Sequence, residues 1–270
     1  MTELSKLKPA ETLLITKGSN AEFKDLMKYS LMDLVLKQVL SINETTTTYK
    51  SGRRYKEQRI KYVTKGRNFE KYEPSPFEQI YLSPFIKSPE IKAIFSKLIK
   101  VAYDAVSTEK KYRNSIISSH PYPSAFKRNF IHQIFGGFNL STDGHRLRST
   151  LINQLDEIDQ NIGSLLQNNQ KEALALLSKI GGNIFLLKNV DFELIRNIDT
   201  SIFEAMKADE KYDLNIWWYY FDFSNDYYVD FDSTFNSFES DFNSAGCSTS
   251  GSGCSSCSGC SGCGGCGGCS

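Results

Sequence analysis

The chain has 270 residues, 40% of them hydrophobic, with 32 Lys and Arg against 31 Asp and Glu, a net charge of +1. That hydrophobic fraction supports a sizeable core and excludes a wholly disordered chain. The charge is unevenly spread: residues 1–208 carry a net +9, residues 209–244 a net −8, and the last 26 residues no charge at all. No window of 18 or more apolar residues occurs, so no transmembrane helix is expected. Met1–Ala10 lacks the apolar run of a secretory signal, so the expected compartment is the cytoplasm.

In chain order, Pro9 followed by Leu13, Leu14 and Ile15 predicts a helix over 8–17 that Gly18 ends. A second short helix is predicted over 21–28. Ser30-Leu31-Met32-Asp33 has the form of a capping box, and Leu31, Leu34, Val35, Val39 and Ile42 then recur at helical spacing. This predicts a third helix over 31–42. Thr45–Tyr49 is a β-branched run, Lys50–Arg53 a turn, and Tyr55–Val63 a return strand with Tyr55 and Arg59 on one face and Ile60 and Tyr62 on the other. Three helices and a basic hairpin follow the order of a winged-helix module.

Ser75-Pro76-Phe77-Glu78 and Ser88-Pro89-Glu90 each combine a cap, a first-turn proline and an acid. The second predicts one long helix bearing Ile91, Ile94, Phe95, Leu98, Ile99 and Ala102, ending before His120-Pro121-Tyr122-Pro123. Further helices are expected up to Phe135 and over about 145–167, 170–187 and 191–207. The expected fold is mainly α with one small β-hairpin: a winged-helix-like part over 1–70 and a helical part over 71–208. An acidic aromatic segment over 209–244 and a disordered Gly/Ser/Cys tail over 245–270 complete it.

Within the acidic segment, Tyr227, Phe231, Phe235, Phe238 and Phe242 have helical spacing with acids and serines between them. Three readings follow: an amphipathic helix packed on its own domain, an acidic cover laid across the basic hairpin, or a partner-binding segment. The hairpin itself carries Lys50, Arg53, Arg54, Lys56, Arg59 and Lys61, with Tyr49, Tyr55 and Tyr62 interleaved. Such a wing suits weak contacts to phosphate backbones. The polar residues of the helix before it, Lys28, Ser30, Asp33, Lys37, Gln38 and Ser41, include no Arg or Asn to read a base edge. The three histidines lack a metal-ligand spacing, and no phosphate-binding or nucleophile-elbow motif is present. A non-enzymatic protein is expected.

All seven cysteines lie in the last 24 residues. After Cys247, six fall on a period of three: Cys254, Cys257, Cys260, Cys263, Cys266 and Cys269, separated only by Gly and Ser. Without apolar side chains beyond the cysteines, the tail cannot offset its ordering entropy, and a flexible string spanning roughly 25–30 Å is expected. Reduced C-x-x-C pairs chelate soft ions, so zinc or copper binding by these six thiols is the leading expectation. The uniform period specifies no unique set of four ligands, which fits a metal sink better than a zinc finger. The tail also resembles the Gly/Ser/Cys core of microcin-type precursor peptides, in which Cys and Ser are cyclised to azoles. That resemblance implies a tail-modifying enzyme as partner. A third reading is structural low-complexity sequence that clusters chains through disulfides.

Asp25–Ile42, the hairpin after it, Pro74-Ser75-Pro76-Phe77-Glu78 leading into Ile80, and the terminal Gly-Cys repeat together carry a further resemblance. They resemble a recurring class of uncharacterised bacterial proteins in which a winged-helix-like helical domain sits next to a Gly/Cys-rich tail. Many members of that class carry membrane helices between the two parts, and this chain has none. The resemblance implies a bacterial source and carries over no known activity.

Overall fold

The computed structural model describes residues 3–51, 54–127, 138–190 and 231–249, with 192, 195, 201–202 and 206 between the last two stretches. Eight helices, α1 to α8, are described from end to end. They are α1 (Pro9–Lys17), α2 (Phe23–Leu36), α3 (Gln79–Lys87), α4 (Phe95–Ala105), α5 (Glu109–Ser119), α6 (Thr142–Asn168), α7 (Gln170–Ile180) and α8 (Phe231–Thr249). Two small antiparallel sheets accompany them. One has the order β1-β2-β3 (Leu40–Ser51, Arg54–Lys65, Ala93–Ile94), and the other pairs β4 (Phe126–Lys127) with β5 (Asn139–Leu140). The fold is therefore mainly helical with a small β component. No helix among the described residues is long and apolar enough to cross a membrane.

α1 starts at Pro9, as predicted, and stops at Gly18, whose φ of 61° favours glycine. α2 differs from expectation. It is one helix of 14 residues, running straight through the predicted junction at Ser30. The Ser30 hydroxyl does not cap a new helix. It donates back to the Leu26 carbonyl at 2.8 Å and accepts from the Tyr112 hydroxyl at 3.0 Å. Asp33 accepts from Lys37 Nζ at 2.5 Å, one helical turn on. The helix ends before Gln38, which sits at φ 54°, and residues 40–42 join β1. At this corner the residue just past β2 passes so close that a Cβ on Gly66 would lie 2.1 Å from the Gln38 carbonyl oxygen.

The predicted long helix after Ser88 is instead two. Ala93–Ile94 pair with β2, so α4 begins only at Phe95, and Ile91 stays 39% exposed. The chain breaks again before Thr108, whose hydroxyl accepts from the Lys111 N–H at 3.2 Å and caps α5. Phe95, Leu98, Ile99 and Ala102 are buried as their spacing requires. Helix α6 covers the expected 145–167, and α7 takes the first part of 170–187 before a 3-10 turn over Gly181–Leu186. The helices predicted towards Phe135 and over 191–207 fall wholly or largely outside the described residues.

One core runs through the body: α1 packs on α2 and α6, and α8 lies on α4 and α2. Contacts span the chain. Tyr81 O–H donates to the Met27 carbonyl at 3.0 Å, and buried Asn183 Nδ2 donates to the carbonyls of Leu4 and Leu7 at 2.9 and 2.8 Å. Beneath α1 and α2 sits an ionic cluster. Glu78, fully buried, accepts from Lys8 Nζ at 2.6 Å, Tyr72 O–H at 2.9 Å and the Ser75 N–H at 2.7 Å. Glu11 and Asp33, 2% and 1% exposed, are the other carboxylates of this region. Burial opposes charge on Lys37, but the Asp33 carboxylate outweighs it and holds the ammonium above its ordinary pKa.

Candidate nucleic-acid interface

The hairpin is longer than its sequence signals suggested. β1 and β2 pair over twelve residues each, from Leu40 opposite Lys65 to Ser51 opposite Arg54. The β-branched run Thr45–Thr48 favours the extended backbone, and only Gly52 and Arg53 connect the strands. Leu40, Ser41, Ile42 and Val63 are buried and root the pair in the core. Beyond them, Asn43–Thr46, Thr48–Lys50 and Tyr55–Arg59 are exposed, which includes both faces of the ribbon. The result is an arm about 26 Å long, at the usual rise per strand residue.

The register distributes the candidate cations. Residues directly opposite one another share a face. Lys50 stands opposite Tyr55, Arg59 opposite Thr46 and Lys61 opposite Glu44, all on one face. Lys56 stands opposite Tyr49 on the other. At the tip, therefore, each face carries one lysine beside one tyrosine, with Tyr49 46% and Tyr55 74% exposed. Arg54 takes its place in the ladder opposite Ser51, and Arg53 lies outside the described residues. Arg59 makes only a loose ion pair, Nε to Glu44 Oε1 at 3.7 Å.

Lys61, at the base, is already engaged. Its Nζ donates to Ser233 Oγ at 2.7 Å and Ser237 Oγ at 3.0 Å, both on α8. The described part of the acidic aromatic segment, residues 231–244, is thus an amphipathic helix on its own domain. Phe231 and Phe238 are 2% and 0% exposed, and Phe242 meets the rings of Phe23 and Tyr103 at 5.7 and 5.2 Å. Each ring so buried contributes on the order of 2–3 kcal/mol. Glu239 Oε1 accepts from Lys28 Nζ at 2.8 Å on α2, and this contact with the ammonium holds its carboxyl below the usual range. Between the arm's base and α8 lies an open cleft of about 950 Å³ whose lining includes Arg59, Lys61, Phe95, Asn236 and Asp241.

The helix before the arm does not offer a reading surface. Lys28, Ser30, Asp33, Gln38 and Ser41 are all buried, at 8%, 1%, 1%, 7% and 3% exposure. A base edge cannot reach these five, and Lys37, the sixth, has 19% of its side chain exposed and is paired with Asp33 at 2.5 Å. Sequence reasoning also missed the Lys8–Glu78 cluster: its partners stand 70 residues apart, and only the Glu78 cap was visible.

The six periodic cysteines, Cys254 to Cys269, lie outside the described residues. Their point of attachment is described: Ala245 is 3% exposed, and Gly246 lies where a Cβ would be 3.6 Å from the Tyr103 hydroxyl. α8 therefore fixes the root of the tail against α4. Among the described residues, no three His, Cys, Asp or Glu side chains stand in an arrangement that could hold a metal ion. No protein-family model, no curated protein and no solved structure matches the chain.

Proposed function

We propose that the protein is a non-enzymatic binding protein and that the projecting arm is its contact element for single-stranded nucleic acid. The observation that carries this is the pairing of Lys50 with Tyr55 and of Tyr49 with Lys56, one pair on each exposed face of the tip. A ring that stacks on a base, beside a cation that meets the neighbouring phosphate, is the combination used for sequence-tolerant binding of single strands. Arg59 extends the basic track towards the body, whereas Lys61 serves the docking of α8.

The test is titration of a labelled single-stranded oligonucleotide by fluorescence anisotropy at several salt concentrations. Affinity should fall with salt, and Lys56→Ala should reduce the log–log slope by about 0.7. Tyr55→Ala should weaken binding by about 1–3 kcal/mol. Affinity that ignores salt, or that survives loss of both Tyr49 and Tyr55, rejects the reading.

A second reading concerns the tail. Cys254, Cys257, Cys260, Cys263, Cys266 and Cys269 form a thiol string that binds zinc or copper in a reducing compartment such as the cytoplasm. The strict period of three favours this reading, because it makes every neighbouring pair a chelate. Native mass spectrometry of the protein from its own source decides. Bound Zn or Cu supports the sink, whereas a deficit of about 20 Da per ring identifies azoles made by a tail-modifying enzyme. A metal-free, unmodified, reduced chain removes both.

A further inference from the structure

The two edges of the arm are built differently. In the order β1-β2-β3, β1 is the outer strand, and β3 covers β2 only at Tyr62 and Val63. An uncovered strand edge recruits another strand unless charge, proline or a bulge defends it. β2 is defended by net charge, since Arg54, Lys56, Arg59 and Lys61 stand along it against the single acid Glu57, so two copies meeting there bring like net charge together, and β3 already covers its base. β1 is not. From Asn43 to Lys50 it carries four consecutive threonines, no proline, one acid near the base and one lysine near the tip. Its ladder with β2 is continuous, without a bulge.

We propose that two copies of this chain pair edge to edge through β1, antiparallel about Thr47. The charge pattern selects the occupant and the register together. Glu44 and Lys50 are equidistant from Thr47, so a two-fold axis there sets Lys50 of each copy opposite Glu44 of the other. Tyr49 then faces Thr45, Thr48 faces Thr46, and the two Thr47 residues meet on the axis. Centring the pairing on Thr46 or Thr48 loses both ion pairs. Opposite charges directly across an antiparallel pair are favourable and like charges unfavourable.

Both groups are available. Glu44 is shared only loosely with Arg59, and Lys50 makes no ion pair among the described residues. The bodies fall at opposite ends of the joined arms, and Ser51 near each tip stands opposite Asn43 at the base of the other arm. The product is a four-stranded basic ribbon that shows the lysine–tyrosine pairs of both copies on each face. The pairing holds whether or not the arm binds nucleic acid.

Sedimentation equilibrium of the full chain in reducing buffer, where the tail thiols cannot link copies, tests the proposal. A monomer–dimer equilibrium is expected. Glu44→Lys and Lys50→Glu should each weaken the dimer by roughly tenfold or more, by setting like charges face to face. The double variant E44K/K50E restores both pairs with signs exchanged and should recover most of the affinity. Unchanged far-UV circular dichroism shows that the exposed substitutions leave the fold intact. A chain that is monomeric at every concentration overturns the proposal. So does a dimer indifferent to the single reversals, or a double variant no tighter than either.

Discussion

Replacing Glu78 with alanine is expected to destabilise the protein by about 3–5 kcal/mol, the cost of breaking a buried ion pair from one side. The carboxylate is 0% exposed and satisfies three donors at once: the Lys8 ammonium, the Tyr72 hydroxyl and the Ser75 amide. Alanine leaves the Tyr72 hydroxyl and the Ser75 amide without this acceptor and the Lys8 ammonium without its counter-charge, with only the Ser75 and Tyr72 hydroxyls still in reach of Lys8 Nζ. Lys8 keeps 22% of its side chain exposed and can turn part of its charge outward, which places the loss towards the lower end. Urea unfolding should show a lower midpoint with an unchanged slope, the signature of lost stability without a changed denatured state. The double variant Lys8→Met/Glu78→Leu should lose markedly less, because it removes the charge together with its partner. A loss under 1 kcal/mol for Glu78→Ala would show that the cluster is not held by this carboxylate.

The elements that were legible in the sequence are those whose signals are local. α1 is bounded by Pro9 and Gly18, and the hairpin by its β-branched run and tight connection. α8 is marked by Phe231, Phe235, Phe238 and Phe242 on one face, all of them turned to the core. Elements decided by distant partners were misread. Ser30 looks like a cap until Tyr112, 82 residues on, occupies its hydroxyl, after which nothing interrupts α2. Ser88-Pro89-Glu90 looks like a helix start, but Ala93 and Ile94 are claimed by β2 and the helix waits until Phe95. The candidate interface divides in the same way. The cations and tyrosines of the arm could be read off, and alternation placed Tyr55 with Arg59. The engagement of Lys61 by Ser233 and Ser237, 172 and 176 residues away, could not, because no local pattern encodes which serine a lysine will meet.

Stability should also depend on pH in a way that two buried groups dictate. Glu11 lies in the first turn of α1, 2% exposed, with Oε2 accepting the Lys8 N–H at 2.8 Å. Burial pushes its carboxyl up to about 7 from an ordinary value of 4.5, with Glu78 and Asp33 adding to the rise and Lys8 opposing it. Between those values the folded state holds a proton that the unfolded chain has released. The contribution of Glu11 is therefore largest below pH 4.5 and declines as pH rises through about 7, by about 3 kcal/mol in all. His120 has the opposite slope: burial lowers it from 6.5 to about 4, so stability is lost as pH falls from 6.5 towards 4. The two slopes oppose each other between 4.5 and 6.5, and only that of Glu11 remains from 6.5 to about 7, where it ends. From these two groups the wild-type chain should thus be nearly flat across the acidic interval, weaken as pH rises from 6.5 through about 7, and level off by pH 8. Glu11→Gln keeps an acceptor for the Lys8 amide while abolishing the titration. It should remove the decline through pH 7, exceed the wild type at pH 8, and reveal the rising limb of His120 below 6.5. Urea midpoints at acidic, neutral and mildly alkaline pH read all three effects, and a Gln variant that tracks the wild type at every pH would show that Glu11 carries no linked proton.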